Sequence, residues 1–334
     1  MSTRIVLCYP VESKHIAQIS EAMPDAEIID AGQERVGNEL FKADIFCGHA
    51  KVPVDWDGIV RRGRLRWIQS SAAGMDHCLV PSVIESDIVV TSASGVLADQ
   101  VAEHTIALIT AWCRSLPTFL RAQQRKEFIR RPTRDLTRST VGIVGLGGVG
   151  RRLAQLLAAF DVRILATDMF PVDKPACVET LWTAERLDDL LSAVDILVLS
   201  LPLNGSTRGV MDARRLAKMK PDGLLVNVAR GPLVVAADLA AALDRGQLAG
   251  AVMDVTEPEP LPLESPLWEM PNVIITPHVG GQSSWRIDTM TRLFCRNLRR
   301  WRQGLPLINY LSDKRLGFPI RGGGYPLWGE PVEP

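Results

Sequence analysis

Aromatic side chains are scarce in this 334-residue chain, at 6% with three tyrosines, and there is no surplus of charge. Lys plus Arg and Asp plus Glu both number 38, so the formal net charge is zero. That balance argues against a nucleic-acid partner, which needs a field of one sign. The Arg-rich stretch RAQQRKEFIRRPTRDLTRST, 121–140, is therefore read as a solvated arm or a subunit contact. No apolar run approaches the ~20 residues of a membrane-spanning helix. The opening MSTRIVLCYP has too short an apolar run for a signal peptide, and Pro10 follows at once. Cysteine is sparse and scattered, at 8, 47, 78, 113, 177 and 295, with neither a C-x-x-C pair nor zinc spacing. Buried thiols in a reducing compartment and no metal site follow from that. A soluble, cytoplasmic protein that does not bind membranes is the expectation.

What the chain does hold is a regular alternation of short apolar runs with amphipathic stretches. RIVLCY, AEIID, ADIFCG, LRWIQS and DIVVTS form a first group, within 4–92. TVGIVGLG, VRILATD, DILVLSL, GLLVNVA, LAGAVMDV and NVIITPH form a second, within 140–278. The segments between members of the second group, such as GRRLAQLLAAF and AADLAAALDRG, repeat apolar residues at helical spacing. Strand, helix, strand repeated in this way predicts an α/β protein of two doubly wound parallel-sheet domains. A long helical pattern, 95–116, lies between the groups, and the Gly/Pro-rich RGGGYPLWGEPVEP reads as an extended tail.

The second group opens with G-x-G-x-x-G at Gly145, Gly147 and Gly150, after an apolar strand and at the start of a helix. Glycines there permit a tight turn, close approach of a pyrophosphate and close helix–strand packing. Asp168 ends the next strand, eighteen residues past Gly150, where a carboxylate accepts from ribose hydroxyls and repels a 2′-phosphate. NAD is the expected cofactor.

Ligands of open parallel sheets sit beyond the carboxyl ends of the strands. Beyond three ends of the second group stand Arg230, the acidic turn DVTEPEPLP (254–262) and His278. A cation, a carboxylate and an imidazole on the edge that carries the glycine loop fit a hydride transfer coupled to a proton transfer. The same strand-end rule marks His49 and Lys51 of CGHAK as candidates for a substrate carboxylate, whereas His15, His77 and His104 read as structural. Glu257 and Glu259 each precede a proline, and spacing within the turn does not choose between them.

VAEHTIAL (101–108), VGIVGLGGVGRRLA (141–154), LPLNGSTRGVM (201–211), LLVNVARGPLV (224–234), AGAVMDVTEPEPLP (249–262) and ITPHVGG (275–281) together resemble the D-isomer-specific 2-hydroxyacid dehydrogenases. The resemblance implies a Rossmann NAD-binding domain over 99–282. It also implies a discontinuous, flavodoxin-like substrate domain over 1–98 and 283–334, with a cleft between the two. It assigns the acid/base to His278, its carboxylate partner to Glu259, and the grip on the substrate carboxylate and oxo group to Arg230. Substrate contacts fall on Ala73, Gly74, Arg230 and His278. Cofactor contacts fall on Gly145, Gly147, Gly148, Val149, Gly150, Asp168, Pro202, Thr207, Ala229, Asp254 and Gly280, with Asp254 holding the nicotinamide amide. The implied reaction interconverts a small 2-oxo acid and a D-2-hydroxy acid in a homodimer joined through the 100–140 segment. An NAD(H)-binding corepressor-like or redox-sensing interaction protein on the same fold is the alternative.

Overall fold

The computed structural model describes residues 2–321 and 326–330. The chain divides into two compact units, Met1–Leu97 with Ser283–Pro334, and Ala98–Gln282.

In unit 1 five parallel strands, β1 (Arg4–Cys8), β2 (Glu27–Asp30), β3 (Ile45–Gly48), β4 (Trp67–Ser70) and β5 (Val89–Thr91), pair in the order β2-β1-β3-β4-β5. This is the flavodoxin-like order. Successive side chains of a strand point to opposite faces, and the core divides accordingly. Val6, Phe46, Ile68 and Val90 pack on Val36, Ile59 and Val83. These last come from the helices α2 (Gly32–Glu39), α3 (Trp56–Arg62) and α4 (Pro81–Glu85). Ile5, Leu7, Ile45 and Trp67 pack on the other side, against Ile19 of α1 (Ser13–Ala22) and Phe294 and Leu298 of the last helix, α11 (Arg286–Arg302). The chain thus returns from unit 2 to cover a face that the first 97 residues leave open.

Unit 2 begins with α5 (Ala98–Cys113) and α6 (Leu116–Gln124). The 95–116 pattern stops short because Ser115 adopts a left-handed backbone, φ 54°, and Pro117 restarts a helix at its second position. Then follow β6 (Thr140–Val144), α7 (Gly148–Leu157), β7 (Arg163–Asp168), β8 (Thr180–Thr183), α8 (Leu187–Ala193), β9 (Ile196–Leu199), α9 (Ala213–Leu216), β10 (Leu224–Asn227), α10 (Ala236–Asp244), β11 (Gly250–Met253) and β12 (Val273–Ile275). All pairings are parallel, in the order β12-β11-β10-β9-β6-β7-β8. The order reverses between β6 and β9, which makes their carboxyl ends the switch point of a Rossmann sheet. β6, β9, β10 and β11 are buried throughout, as a sheet covered on both faces requires. β8, TLWT, was not legible in the sequence: it is a half-exposed edge strand with no apolar run to mark it.

The tail reading falls partly on 322–325 and 331–334, which lie outside the described residues. Of the remainder, Asn309 donates its amide to the Pro326 carbonyl at 3.0 Å, and Trp328 lies 5.2 Å beneath the Arg296 guanidinium. All six cysteines are free. Burial pushes the Cys8 and Cys295 thiols up to about 11 and raises those of Cys47 and Cys78 well above the ordinary thiol value, so these four are packing residues rather than nucleophiles. Among the described residues no helix is long and apolar enough to cross a membrane, and no group of three or more His, Cys, Asp or Glu could hold a metal.

Candidate active site

Asn227, Met253 and Ile275 stand in register at the ends of three neighbouring strands, β10, β11 and β12. Three residues beyond them come Arg230, Thr256 and His278. The strands thus deliver three loops side by side on one edge of the sheet.

Each loop has its own means of holding shape. After β10, the buried Asn227 side chain accepts from the Ala229 amide at 3.1 Å and donates to the Arg230 carbonyl at 2.8 Å. This Asx turn fixes the backbone that presents Arg230. Arg230 Nη1 donates to the Ala229 carbonyl at 2.7 Å. A Cβ on the next residue, Gly231, would stand 1.8 Å from the Thr256 carbonyl oxygen, so the first loop lies directly on the second.

In the second loop the Thr256 amide donates to Glu259 Oε1 at 3.1 Å, and the Thr256 hydroxyl donates to the Pro258 carbonyl at 2.9 Å. Glu259 Oε2 lies 3.0 Å from His278 Nδ1, joining the second loop to the third. Glu257 is exposed and faces Arg208 at 3.7 Å. The two glutamates are thereby told apart: one is tied to an imidazole and the other is a surface carboxylate.

His278 has a left-handed backbone, φ 54°, uncommon for a residue with a Cβ. Asp254 holds it there. The Asp254 carbonyl accepts from the His278 amide at 2.7 Å, and its carboxylate accepts from the Thr276 hydroxyl at 2.6 Å, Val279 N at 3.0 Å and Gly280 N at 2.9 Å. Asp254 is only 3% exposed, and its carboxylate ties three residues of the third loop together. His278 is 48% exposed at its side chain, and Glu259 is 40% exposed.

At the switch point Gly145 takes φ 91°, and a Cβ there would sit 2.9 Å from the Ser200 carbonyl oxygen of the neighbouring strand end. A Cβ on Gly150 would meet the Gly145 carbonyl at 2.2 Å. Gly147 differs: it is exposed, and nothing lies within 4 Å of an added Cβ. It caps α7 without any side-chain hydrogen bond to the first amides, those of Gly148, Val149 and Gly150. An uncapped helix start behind an open backbone face fits a dinucleotide pyrophosphate. Asp168 spans the loop, its Oδ2 accepting from Leu146 N at 2.7 Å and its Oδ1 from Phe170 N at 2.9 Å. Pro202 and Thr207 form a closed turn after β9, with Thr207 Oγ1 donating to the Pro202 carbonyl at 2.7 Å.

Ala73 and Gly74 lie in unit 1, in the loop after β4. His49 stacks on His77, with ring centroids 4.0 Å apart, and His77 Nε2 lies 3.3 Å from Ser70 Oγ. Lys51 is exposed, and its amide is held by Gln33 Oε1 at 2.7 Å. Sequence reasoning passed over Asn227, Thr276 and His104. The Asn227 turn was readable from N-V-A-R-G. His104 stands in VAEHTIAL, but nothing local names its partners: Nε2 lies 3.1 Å from Thr276 Oγ1 and 3.2 Å from Asp254 Oδ1, across more than a hundred residues of chain.

A doubly wound sheet with an open glycine loop and an imidazole–carboxylate pair at neighbouring strand ends defines a dinucleotide-dependent oxidoreductase. Comparison with known proteins narrows that class. Residues 106–280 match the family described as D-isomer specific 2-hydroxyacid dehydrogenase, NAD binding domain. A glyoxylate reductase of Thermofilum pendens is 36% identical over 70% of this chain and 71% of its own. The (S)-sulfolactate dehydrogenase of Chromohalobacter salexigens is 34% identical over 84% and 96%. A crystal structure of a D-isomer specific 2-hydroxyacid dehydrogenase from Xanthobacter autotrophicus Py2, in complex with NADPH and MES, superposes with a TM-score of 0.80 at 30% identity, covering 94% of this chain and 99% of that one. The chain belongs to the D-isomer specific 2-hydroxyacid dehydrogenases. It is an NAD(P)-dependent oxidoreductase of 2-hydroxy acids.

Proposed function

We propose that the chain interconverts a small 2-oxo acid and the corresponding D-2-hydroxy acid, with His278 as acid/base, Glu259 as its partner and Arg230 as the substrate-carboxylate clamp. The observation that carries this reading is the 3.0 Å contact between Glu259 Oε2 and His278 Nδ1. A carboxylate only accepts, so Nδ1 bears a proton and Nε2 is the nitrogen left to exchange one with substrate. In the reducing direction Nε2–H gives its proton to the oxygen that becomes the hydroxyl; in oxidation Nε2 takes it back. Glu259 is itself held at Oε1 by the Thr256 amide, so the ring is bonded to a carboxylate that is fixed in place. Arg230 offers a planar fork of donors, suited to a carboxylate and an adjacent oxo oxygen in a way lysine is not. A nicotinamide dinucleotide supplies the hydride when bound. Asp168 favours NAD, because its carboxylate is fixed where a 2′-phosphate would meet like charge.

His278→Ala tests the assignment. Across a panel of 2-oxo acids with NADH, including glyoxylate and hydroxypyruvate, kcat falls by ~10² or more while NADH titration by fluorescence stays near normal. Equal loss of both, or full turnover, overturns it.

The segment after α5 supports a homodimer as part of the same proposal. Leu116, Leu120, Phe128 and Ile129 are exposed there, Phe128 by 92%, and large apolar side chains exposed together beside charged ones fit an interaction surface.

A further inference from the structure

We infer that His104 of α5 is a positioning residue: it clamps the loop Thr276–Gly280 and so holds His278 where it exchanges its proton. This rests on the reading of His278 as the acid/base. Hydrogen-bond directions fix what His104 does. The Thr276 hydroxyl gives its one proton to Asp254 Oδ1, at 2.6 Å, and therefore only accepts from any other neighbour. The Asp254 carboxylate also only accepts. His104 Nε2 lies 3.1 Å from Thr276 Oγ1, so Nε2 carries hydrogen and donates to that oxygen, while Asp254 Oδ1 stands 3.2 Å from the same nitrogen. This tautomer follows whether the ring is neutral or charged.

That donor closes a cycle. Asp254 accepts from the Thr276 hydroxyl, Val279 N and Gly280 N, its backbone carbonyl accepts from His278 N, and His104 holds Thr276 from the far side. The left-handed backbone of His278 costs energy and persists only where its surroundings over-determine it, as this cycle does. The packing is close. A Cβ on Gly280 would stand 2.9 Å from Asp254 Oδ2 and 3.2 Å from His104 Cδ2. A helix thus braces the loop from below, and a shift of His104 reaches His278 through Asp254 and Thr276. Displacement of a reacting group by about 1 Å can cost up to ~10² in rate, so the brace is worth activity as well as stability.

The test compares His104→Leu, which removes the donor, with His104→Gln, which places an N–H near the Nε2 position. Three quantities are read: amide hydrogen exchange of the peptide 276–281, kcat on the best-used 2-oxo acid, and KM for NADH. In His104→Leu, exchange of 276–281 accelerates roughly tenfold or more, and kcat falls roughly 10- to 100-fold, a larger change than in KM for NADH. His104→Gln restores exchange and kcat together. Unchanged exchange and kcat in a folded His104→Leu overturn the inference, as does a folded His104→Gln no better than His104→Leu. Where His104→Leu does not fold by circular dichroism, His104→Asn, whose shorter amide cannot reach Thr276, takes its place against His104→Gln; equal behaviour of the two overturns the clamp. His278→Ala in the same assay separates the two proposals. An inactive His278→Ala beside a fully active His104→Leu with unchanged exchange removes the clamp alone. A fully active His278→Ala removes the acid/base reading, and the exchange result then decides the clamp by itself.

Discussion

Glu257 and Glu259 are chemically identical, sit one proline apart and are both exposed by more than a third, yet only Glu259 reaches His278. The difference lies in backbone direction, since the Thr256 amide draws Glu259 back toward the strand end while Glu257 faces out to Arg208. Glu259→Gln is therefore expected to lower kcat and displace the pH–rate profile, with Glu257→Gln as the control that moves neither. An unmoved profile for Glu259→Gln removes it from the pair. Asp168 supports a second prediction. Its two oxygens are fixed by Leu146 N and Phe170 N, so the charge cannot turn away from an incoming phosphate. Kd for NADH should be at least about tenfold below that for NADPH, and Asp168→Ser should shrink the ratio. Equal affinities in the parent protein refute the preference. At this scale much of the site was legible: Arg230 and His278 stand out because strand ends are where such sheets bind ligands. His104 was not, because its partners are contributed by segments far along the chain.

Among the elements, α8 and α9 show how charge joins neighbours in unit 2. Asp188 of α8 lies 2.7 Å from Arg214 Nη1 and 3.0 Å from Arg215 Nε, both on α9. The Arg214 hydrogen bond, with that of Arg215, holds the Asp188 carboxyl down at about 2. A folded value below the unfolded ~3.9 gives stability present above pH ~4 that is lost as pH falls toward about 2. The side chain is a third exposed, so solvent screening holds the effect to about 1 kcal/mol or less. Thermal melts of Asp188→Asn should lie below those of the parent at pH 5 and converge with them near pH 2. A gap of constant size across that range refutes the linkage. The strands of the sheet were readable as apolar runs because both faces are covered. β8 and the break between α5 and α6 were not, since an edge strand is polar and a single left-handed serine leaves no periodic trace.

For the whole molecule, the exposed apolar side chains of Leu116, Leu120, Phe128 and Ile129 lead to the last prediction. Sedimentation should show a dimer, and Phe128→Asp together with Leu120→Asp should shift it to monomer with unit 2 still binding NADH. A monomeric parent protein refutes the dimer. The sequence by itself determined the two sets of parallel strands, the glycine loop and its acid, and three polar residues at strand ends. These are local patterns, in which periodicity and position along the chain encode burial and the strand edge. Only tertiary structure decided which glutamate meets the imidazole, that Asp254 turns its carboxylate inward, and that His104 lies beneath the third loop. Those outcomes depend on the register of β10, β11 and β12 and on a helix packed against them. Contacts between segments far apart in the chain are set when the sheet assembles, and no local pattern records them.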